Sequence, residues 1–345
     1  MSDRSRSLSR APVLAIAIGA IGSLTLVAAQ TRTAPATRWT APRTPDGHPD
    51  LQGTWLSRSA TPLERPAALA GKAWLSDEEV AELKARAERI FARTGSSDFA
   101  AGDAVFLTAL ANRDRFTSPT STHGAADMIE REFDHHTSLV TDPSDGRIPP
   151  LTPEAQRRQQ VRAATLRGGD GPESLDNANR CIAWGVPRLG GRYGAGDLGY
   201  YQIVQAPGYI ALFMETGHEA RIVSLDGRPH LPSRVGQRSG DSRGRWEGDV
   251  LVIETTNFSA KSYFMGAAEH LHLTERLTRT DADTITYQMT FDDPTTWTRP
   301  WTAEMPLKRT DELLYESACH EGNEQMMLGM LSAARVQGSP APGGR

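Results

Sequence analysis

Four ionisable side chains stand in line with apolar neighbours on segments whose hydropathy alternates with period two. Glu254 falls with Val250 and Val252, and Glu275 with Leu271, Leu273 and Leu277. Glu215 falls with Ala211 and Phe213, and Arg221 with Val223 and Leu225. Successive side chains of a strand point to opposite faces, so each of the four is expected on an otherwise apolar face. A carboxylate in such a place has to be paired, hydrogen-bonded or functional. Gathered inside one barrel, Arg221 would keep one glutamate ionised while burial raises the pKa of another. That separation is what general acid–base chemistry needs. On this reading Glu254 and Glu275 are the acid–base pair, and Glu215 and Arg221 contact the substrate. A buried ion-pair network that only fixes strand register has the same pattern in sequence.

Histidines form a second layer. His218 opens a strand after a glycine, and His320 and Glu321 directly follow Cys319. His218 and His320 are read as aids to proton transfer, and Glu321 as a substrate contact at the rim. His270 and His272, two apart on a strand, share a face and form the alternative metal pair; His218, His230 or Glu321 would supply a third ligand. Asp134, His135 and His136 also invite a metal, but adjacent histidines on a strand point to opposite faces. No cofactor is expected, with a divalent metal as the alternative. Trp246 and Trp301, with Trp297, could bound a pocket for a sugar or flat organic molecule, or equally plug a barrel end. There is no Gly-x-Ser-x-Gly elbow and no His-Glu-x-x-His, which removes the usual support for a serine hydrolase or a zincin.

The elements that must position these residues are mostly strands. From Tyr200 onward the spacing predicts strands at 200–206, 209–216, 218–225, 250–258, 270–280, 284–291, 301–308 and 313–319. Turns such as Pro207-Gly208, Asp226-Gly227 and Glu247-Gly248-Asp249 join them. Short spacing without intervening helices implies an antiparallel meander, closed as a lipocalin-like β-barrel or packed as a sandwich. Eight strands are enough to enclose one small ligand. Upstream, Ser76 and Glu79 make a capping box for a helix over Ser76–Arg93. A second helix starts at Thr152 with Pro153 in its first turn and runs to about Leu166. A short strand is expected over Thr137–Thr141, and residues 95–128 suggest no element. The fold class is therefore mainly β (α+β), with an N-terminal arm and peripheral helices.

The chain of 345 residues carries a formal charge of −4 with dispersed basic residues, which argues against a nucleic-acid partner. Arg4, Arg6 and Arg10 precede an apolar run from Ala11 to Ala29, the pattern of a signal peptide cut before Gln30. An uncleaved anchor is the rival, weakened by Pro12, Gly19 and Gly22. The domain order is then signal peptide 1–29, linker and N-terminal arm 30–60, helical and loop-rich region 61–198, barrel with a C-terminal helix 199–335, and a disordered tail 336–345. Within this scheme Trp55 anchors the arm, and the glycine-rich stretch at 180–197 is a loop held by Cys181 across a pocket mouth. Export to the periplasm or beyond makes a Cys181–Cys319 disulfide the preferred pairing, with a catalytic thiol or metal ligation as rivals. No stable membrane span remains after signal cleavage.

Several runs are long and specific. Pro45-Asp-Gly-His-Pro-Asp-Leu-Gln-Gly-Thr-Trp55, Ser224-Leu-Asp-Gly-Arg-Pro-His230, Arg245-Trp-Glu-Gly-Asp249, Asp293-Pro-Thr-Thr-Trp297 and Ala318-Cys-His-Glu-Gly-Asn323 together span almost the whole mature chain. In these runs the chain resembles a family of exported bacterial proteins with no established activity, so the resemblance implies export and no particular reaction. Residues 133–136 depart from that family's pattern, which is richer in arginine there. Taken together, the sequence predicts an exported enzyme, a hydrolase or lyase, acting on a small organic or carbohydrate-like substrate by acid–base chemistry in a barrel pocket. The alternatives are a non-catalytic periplasmic small-ligand binder of lipocalin-like type, and an envelope interaction protein.

Overall fold

A computed structural model describes residues 39–92, 103–113, 132–183, 185–187, 189, 200–215, 217, 219–316 and 318–338. The expected signal peptide, the start of the expected linker, His218, much of the glycine-rich loop and the end of the expected tail lie outside the described residues. Among the described residues, ten strands form one sheet. They are β1 (Gly53–Leu56), β2 (Val140–Asp142), β3 (Tyr200–Ala206), β4 (Tyr209–Met214), β5 (Glu219–Ser224), β6 (Asp241–Glu247), β7 (Val250–Thr256), β8 (His272–Arg279), β9 (Thr284–Asp292) and β10 (Trp301–Thr310). The order β1-β3-β4-β5-β6-β7-β8-β9-β10 returns to its start because β1 also pairs with β10, so the sheet closes as a barrel and not as a sandwich. The fold is mainly β, with helices α1 (Asp77–Ala92), α2 (Asp103–Leu110), α3 (Pro153–Gly168) and α4 (Asn323–Gly338) outside it.

Closure follows a parity rule. An odd ring of strands cannot be antiparallel throughout, and this ring of nine places its one parallel junction between β5 and β6, at Ser224 against Arg243. The connection 225–240 carries the chain back along the barrel to make that junction. Gly244 lies beside it. A β-carbon there would come within 2.7 Å of both Leu225 and Val223, so glycine lets the two strands approach.

The ring differs from the sequence expectation at three strands. Residues 313–319 form no strand: Leu313 and Tyr315 are exposed and have no apolar surface to cover. β6 does exist, although its inward positions, Ser242, Gly244 and Trp246, show no hydrophobic alternation; its register against the apolar β7 fixes it. The arm supplies β1 itself. Thr54 pairs with Thr310 on one side and Gln202 on the other. β1 is too short to cover the full length of β10, and β2 pairs with the remainder at Thr302 and Ala303. Both sides of β10 are thus paired, which leaves no long open edge there.

The arm also caps one end of the barrel. Gln205 accepts from the Leu51 N–H and donates to the Pro49 carbonyl. Trp55 is buried, with its indole N–H on the Leu51 carbonyl, and His48 stacks on Trp246 at 4.9 Å. Arg279, inward-facing at this end, donates to the Asp50 carbonyl. The opposite end is closed by an aromatic cluster in which Phe291 stacks between Phe264 and Trp301, with Trp297 edge-on.

The helices follow their local signals. Ser76 and Glu79 form the capping box of α1, the Glu79 carboxylate accepting from the Ser76 N–H at 2.9 Å. α2 arises in the stretch that suggested no element and packs on α1 through Ile90, Leu83 and Phe106, forming a second, smaller core. Thr152 caps α3 by accepting from the Ala155 N–H, and Gly169 ends it in the left-handed region. Arg335 of α4 donates to the Gly169 carbonyl. No helix of the described residues is long and apolar enough to cross a membrane.

Cys181 and Cys319 are joined in a disulfide, which ties the segment after α3 to the start of α4. The two cysteines are 138 residues apart, so the bridge removes a long loop from the unfolded ensemble. Cys181→Ala/Cys319→Ala is expected to lower the unfolding free energy by about 2–5 kcal/mol. Denaturant titration of this variant against the oxidised wild type measures the difference.

Candidate functional site

The sequence-predicted constellation divides across the barrel wall. β8 turns Leu273, Glu275 and Leu277 inward, and β5 turns Arg221 and Val223 inward. Glu275 is fully buried, and the Arg221 guanidinium forks onto its two oxygens, with Nη1 at 3.0 Å from Oε1. The Tyr287 hydroxyl donates to the same Oε1. Burial alone would push the Arg221 proton off, but the Glu275 charge outweighs it and holds Arg221 firmly protonated. Burial, then the Glu275 charge, pushes the Tyr287 hydroxyl well above its usual range, so it stays a donor. Arg221 and Glu275 neutralise one another, and the uncharged Tyr287 hydroxyl satisfies a further lone pair of the carboxylate. The void beside them, lined by Tyr201, Leu212, Met214 and Leu307, is only about 10 Å³. That is room for one water molecule and not for a ligand. The Arg221 Nε–H has no protein partner among the described residues and is the donor such a water would satisfy.

Glu254 is not part of this group. β7 turns Leu251, Ile253 and Thr255 inward and Glu254 outward, where it pairs with Arg245 at 3.1 Å and keeps 35% exposure. The Val250 and Val252 face, read as the core side, is the outer one; Val252 is buried from outside the barrel. Glu254 and Glu275 therefore cannot act as a pair. Glu215 likewise follows the outer face of β4, since Ile210, Leu212 and Met214 point inward. His320 and Glu321 lie exposed beside the disulfide and line neither of the two clefts described below. His270 and His272 are both exposed, and no group of three metal-ligating side chains occurs among the described residues. Trp246 packs under the arm, and Trp301 is fully buried in the end cluster, so both plug the barrel.

Two clefts lie between the barrel and the elements around it. The larger, about 610 Å³, sits outside the aromatic end of the barrel. Its floor is Phe258, Phe264, Ala267 and Leu271; one wall is α3, with Gln159, Arg162 and Leu166. Another wall is made by Asp176, Asn177, Ala178, Ala183, Gly185 and Val186, on either side of Cys181 in the chain. Arg162 lies over the Tyr263 ring at 4.0 Å, and Arg238 adds a second guanidinium to the lining. Neither guanidinium has a carboxylate partner among the described residues. Asp176 commits one oxygen to the Asn179 N–H. Volume and lining fit a small organic ligand. No sequence signal pairs Arg162 with Tyr263, because the contact is long-range and comes from how α3 packs.

The second cleft, about 340 Å³, lies over the outer face of β9 and β10 and is bordered by Trp74, Glu132, Asp134, His136, Glu304 and Lys308. Asp134 Oδ1 accepts from the Thr61 hydroxyl at 3.0 Å, from the His136 N–H at 2.7 Å and from His136 Nδ1 at 3.2 Å. Trp74 packs on the imidazole with ring centroids 4.3 Å apart. Burial would raise the Asp134 pKa, but the His136 and Thr61 hydrogen bonds reverse this and leave it lowered. The Asp134 hydrogen bond raises His136, against the opposing effect of burial. The neighbouring His135 turns away to Asp77, as expected for adjacent residues in an extended segment. The missed signal is the two-residue spacing of Asp134 and His136, which puts them on one face by the same rule that paired His270 with His272.

Comparison with known proteins adds little. No family model and no curated protein matches the chain. Among solved structures, it is similar to a secretary abundant heat soluble (SAHS) protein from Ramazzottius varieornatus, with 8% identity and a TM-score of 0.22. That match covers 32% of this chain and 70% of the other.

Two outcomes follow from these geometries. Arg221→Met alone, which leaves Glu275 buried without its cation, is expected to cost about 3–5 kcal/mol of stability. Arg221→Met/Glu275→Leu is expected to cost less, because no charge is left unpaired; denaturant titration of both variants checks the order. For the Asp134–His136 pair, the lowered Asp134 contributes stability above pH 3.8 that is lost as pH falls through its folded pKa. The raised His136 contributes stability below pH 6.5 that is lost as pH rises through its folded pKa. The pair is thus most stabilising between those limits. Asp134→Asn should flatten the alkaline side of the melting-temperature profile relative to wild type.

Proposed function

We propose that this is an exported small-molecule-binding protein whose site is the larger cleft at the aromatic end of the barrel. Its ligand is an apolar, ring-bearing molecule that carries an anionic group. The observation that carries this reading is the pair of guanidiniums, Arg162 and Arg238, that have no carboxylate partner among the described residues and lie in the lining of a ligand-sized, mostly apolar cleft. Phe258, Phe264 and Leu271 offer the apolar body its contact, and a carboxylate on the ligand supplies the charge that the arginines lack. The disulfide suits an exported chain, and it fixes one wall of the cleft. A barrel-interior acid–base enzyme has less support, because Glu254 and Glu275 face opposite sides of the wall and the interior is filled.

Calorimetric titration with 2-naphthoate and with its neutral amide tests the proposal. The carboxylate is expected to bind at least about tenfold more tightly than the amide, the equivalent of one charge-assisted hydrogen bond. Arg162→Met/Arg238→Met should abolish that preference while leaving the melting temperature near wild type. Equal binding of acid and amide, or a preference that survives in the double variant, would refute it.

A further inference from the structure

The second cleft contains a group that ligand binding at the barrel end does not use. His136 is held on three sides. Asp134 accepts at its Nδ1, the Trp74 indole covers its ring, and its own backbone N–H is tied to Asp134. Thr61 holds Asp134 from the other direction. With the Nδ1 proton directed at Asp134, Nε2 carries the lone pair, and no protein group takes it among the described residues. An oriented imidazole with a free Nε2 on a cleft is the general-base half of a hydrolytic site. Among the described lining residues there is neither serine nor cysteine, and the one threonine, Thr286, makes no hydrogen bond to His136, so water is the nucleophile such a base would activate.

The rest of the lining indicates the substrate. Trp74 is 61% exposed and offers a flat apolar surface next to His136. Lys308 also lines the cleft, with one ammonium proton on the Thr284 hydroxyl. Glu132 and Glu304 also line it, and their carboxylates disfavour an anionic substrate. They equally disfavour retention of an anionic product.

We propose that Asp134 and His136 form a general-base centre that hydrolyses neutral carboxylic esters bearing a flat or aromatic portion. His136 Nε2 takes a proton from water as the water oxygen bonds to the carbonyl carbon and the carbonyl electron pair moves onto its oxygen. When that intermediate collapses, the ester C–O bond breaks and the proton on Nε2 passes to the departing oxygen. Ester and water give acid and alcohol, with no other reactant. Asp134 acts as a positioning residue that fixes the tautomer and steadies the imidazolium.

The full-length oxidised protein, assayed with phenyl acetate and p-nitrophenyl acetate, tests this. The wild type is expected to show saturable turnover that rises with pH through a midpoint above the ordinary histidine value of 6.5, since Asp134 favours the protonated ring. Glu132, Glu304, Lys308 and the His135–Asp77 pair are the other charged groups at the cleft, and Glu304 acts in the same direction as Asp134. His136→Gln should lower kcat/KM by about 100-fold or more. His48→Gln, an imidazole stacked on Trp246 away from this cleft, should leave it unchanged. Asp134→Asn should lower kcat and move the pH midpoint down. Should Asp134→Asn fail to fold, the wild-type profile and His136→Gln still decide. A wild-type rate that does not saturate and does not exceed free imidazole at equal concentration would overturn the proposal, as would full activity in His136→Gln.

Discussion

Closure through the four residues of β1 is the constraint on which the rest of the structure depends. Without that strand, β3 and the end of β10 would be open edges, and the inward-facing residues would have no continuous wall. The arm that supplies β1 is therefore held by several independent contacts. Gln205 grips its backbone from both sides, Arg279 takes its Asp50 carbonyl, and Trp55 is buried beneath it. The odd strand count then forces one parallel junction, which explains the long return of residues 225–240 and the glycine at position 244.

A closed wall of this kind could have surrounded a cavity, but this one is filled. The end clusters occupy both mouths, and the Arg221–Glu275–Tyr287 group fills the middle. A buried ion pair in a packed core is a weak source of net stability, and its better-attested role is to specify arrangement. Here it joins β5, β8 and β9 across the interior. Space for ligands consequently moves outside, to the places where helices and loops lie against the barrel. The two clefts use different walls and carry different chemistry: guanidiniums over an apolar floor at one, an oriented imidazole among carboxylates at the other.

Much of this was legible in the sequence, and the failures have identifiable physical causes. Period-two alternation located most of the strands, and the face of Glu275 was assigned correctly because its neighbours are apolar on that side alone, whereas Arg221 was placed by Val223 and Leu225 despite an apolar Ile222 on the outer face. It failed for Glu254 because Val250, Leu251, Val252 and Ile253 are apolar on both faces; the outer valines are shielded by other parts of the chain, so hydropathy could not say which face is the core. The same ambiguity misplaced Glu215 beside Phe213. β1 and β6 escaped notice because one is four residues long and the other carries Ser242 and Gly244 at inward positions, so long-range pairing and not local pattern makes them strands. The cysteine pair, the capping box of α1 and the proline start of α3 were readable because each depends on few residues and simple chemistry.

The pairing of β1 with β10 also sets an order of events. Leu56 finds its partner at Lys308, and Thr54 at Thr310, so the two halves of the seam are separated by nearly the whole described chain. Contacts of that span are slow to form, because a large loop has to close before they contribute anything. While the chain is being synthesised, the barrel cannot seal until its last strand has emerged. Throughout that interval the molecule is an open sheet with an unmatched border at each side. A chain of this design completes its fold as a whole, and the segment made early waits for the one made late.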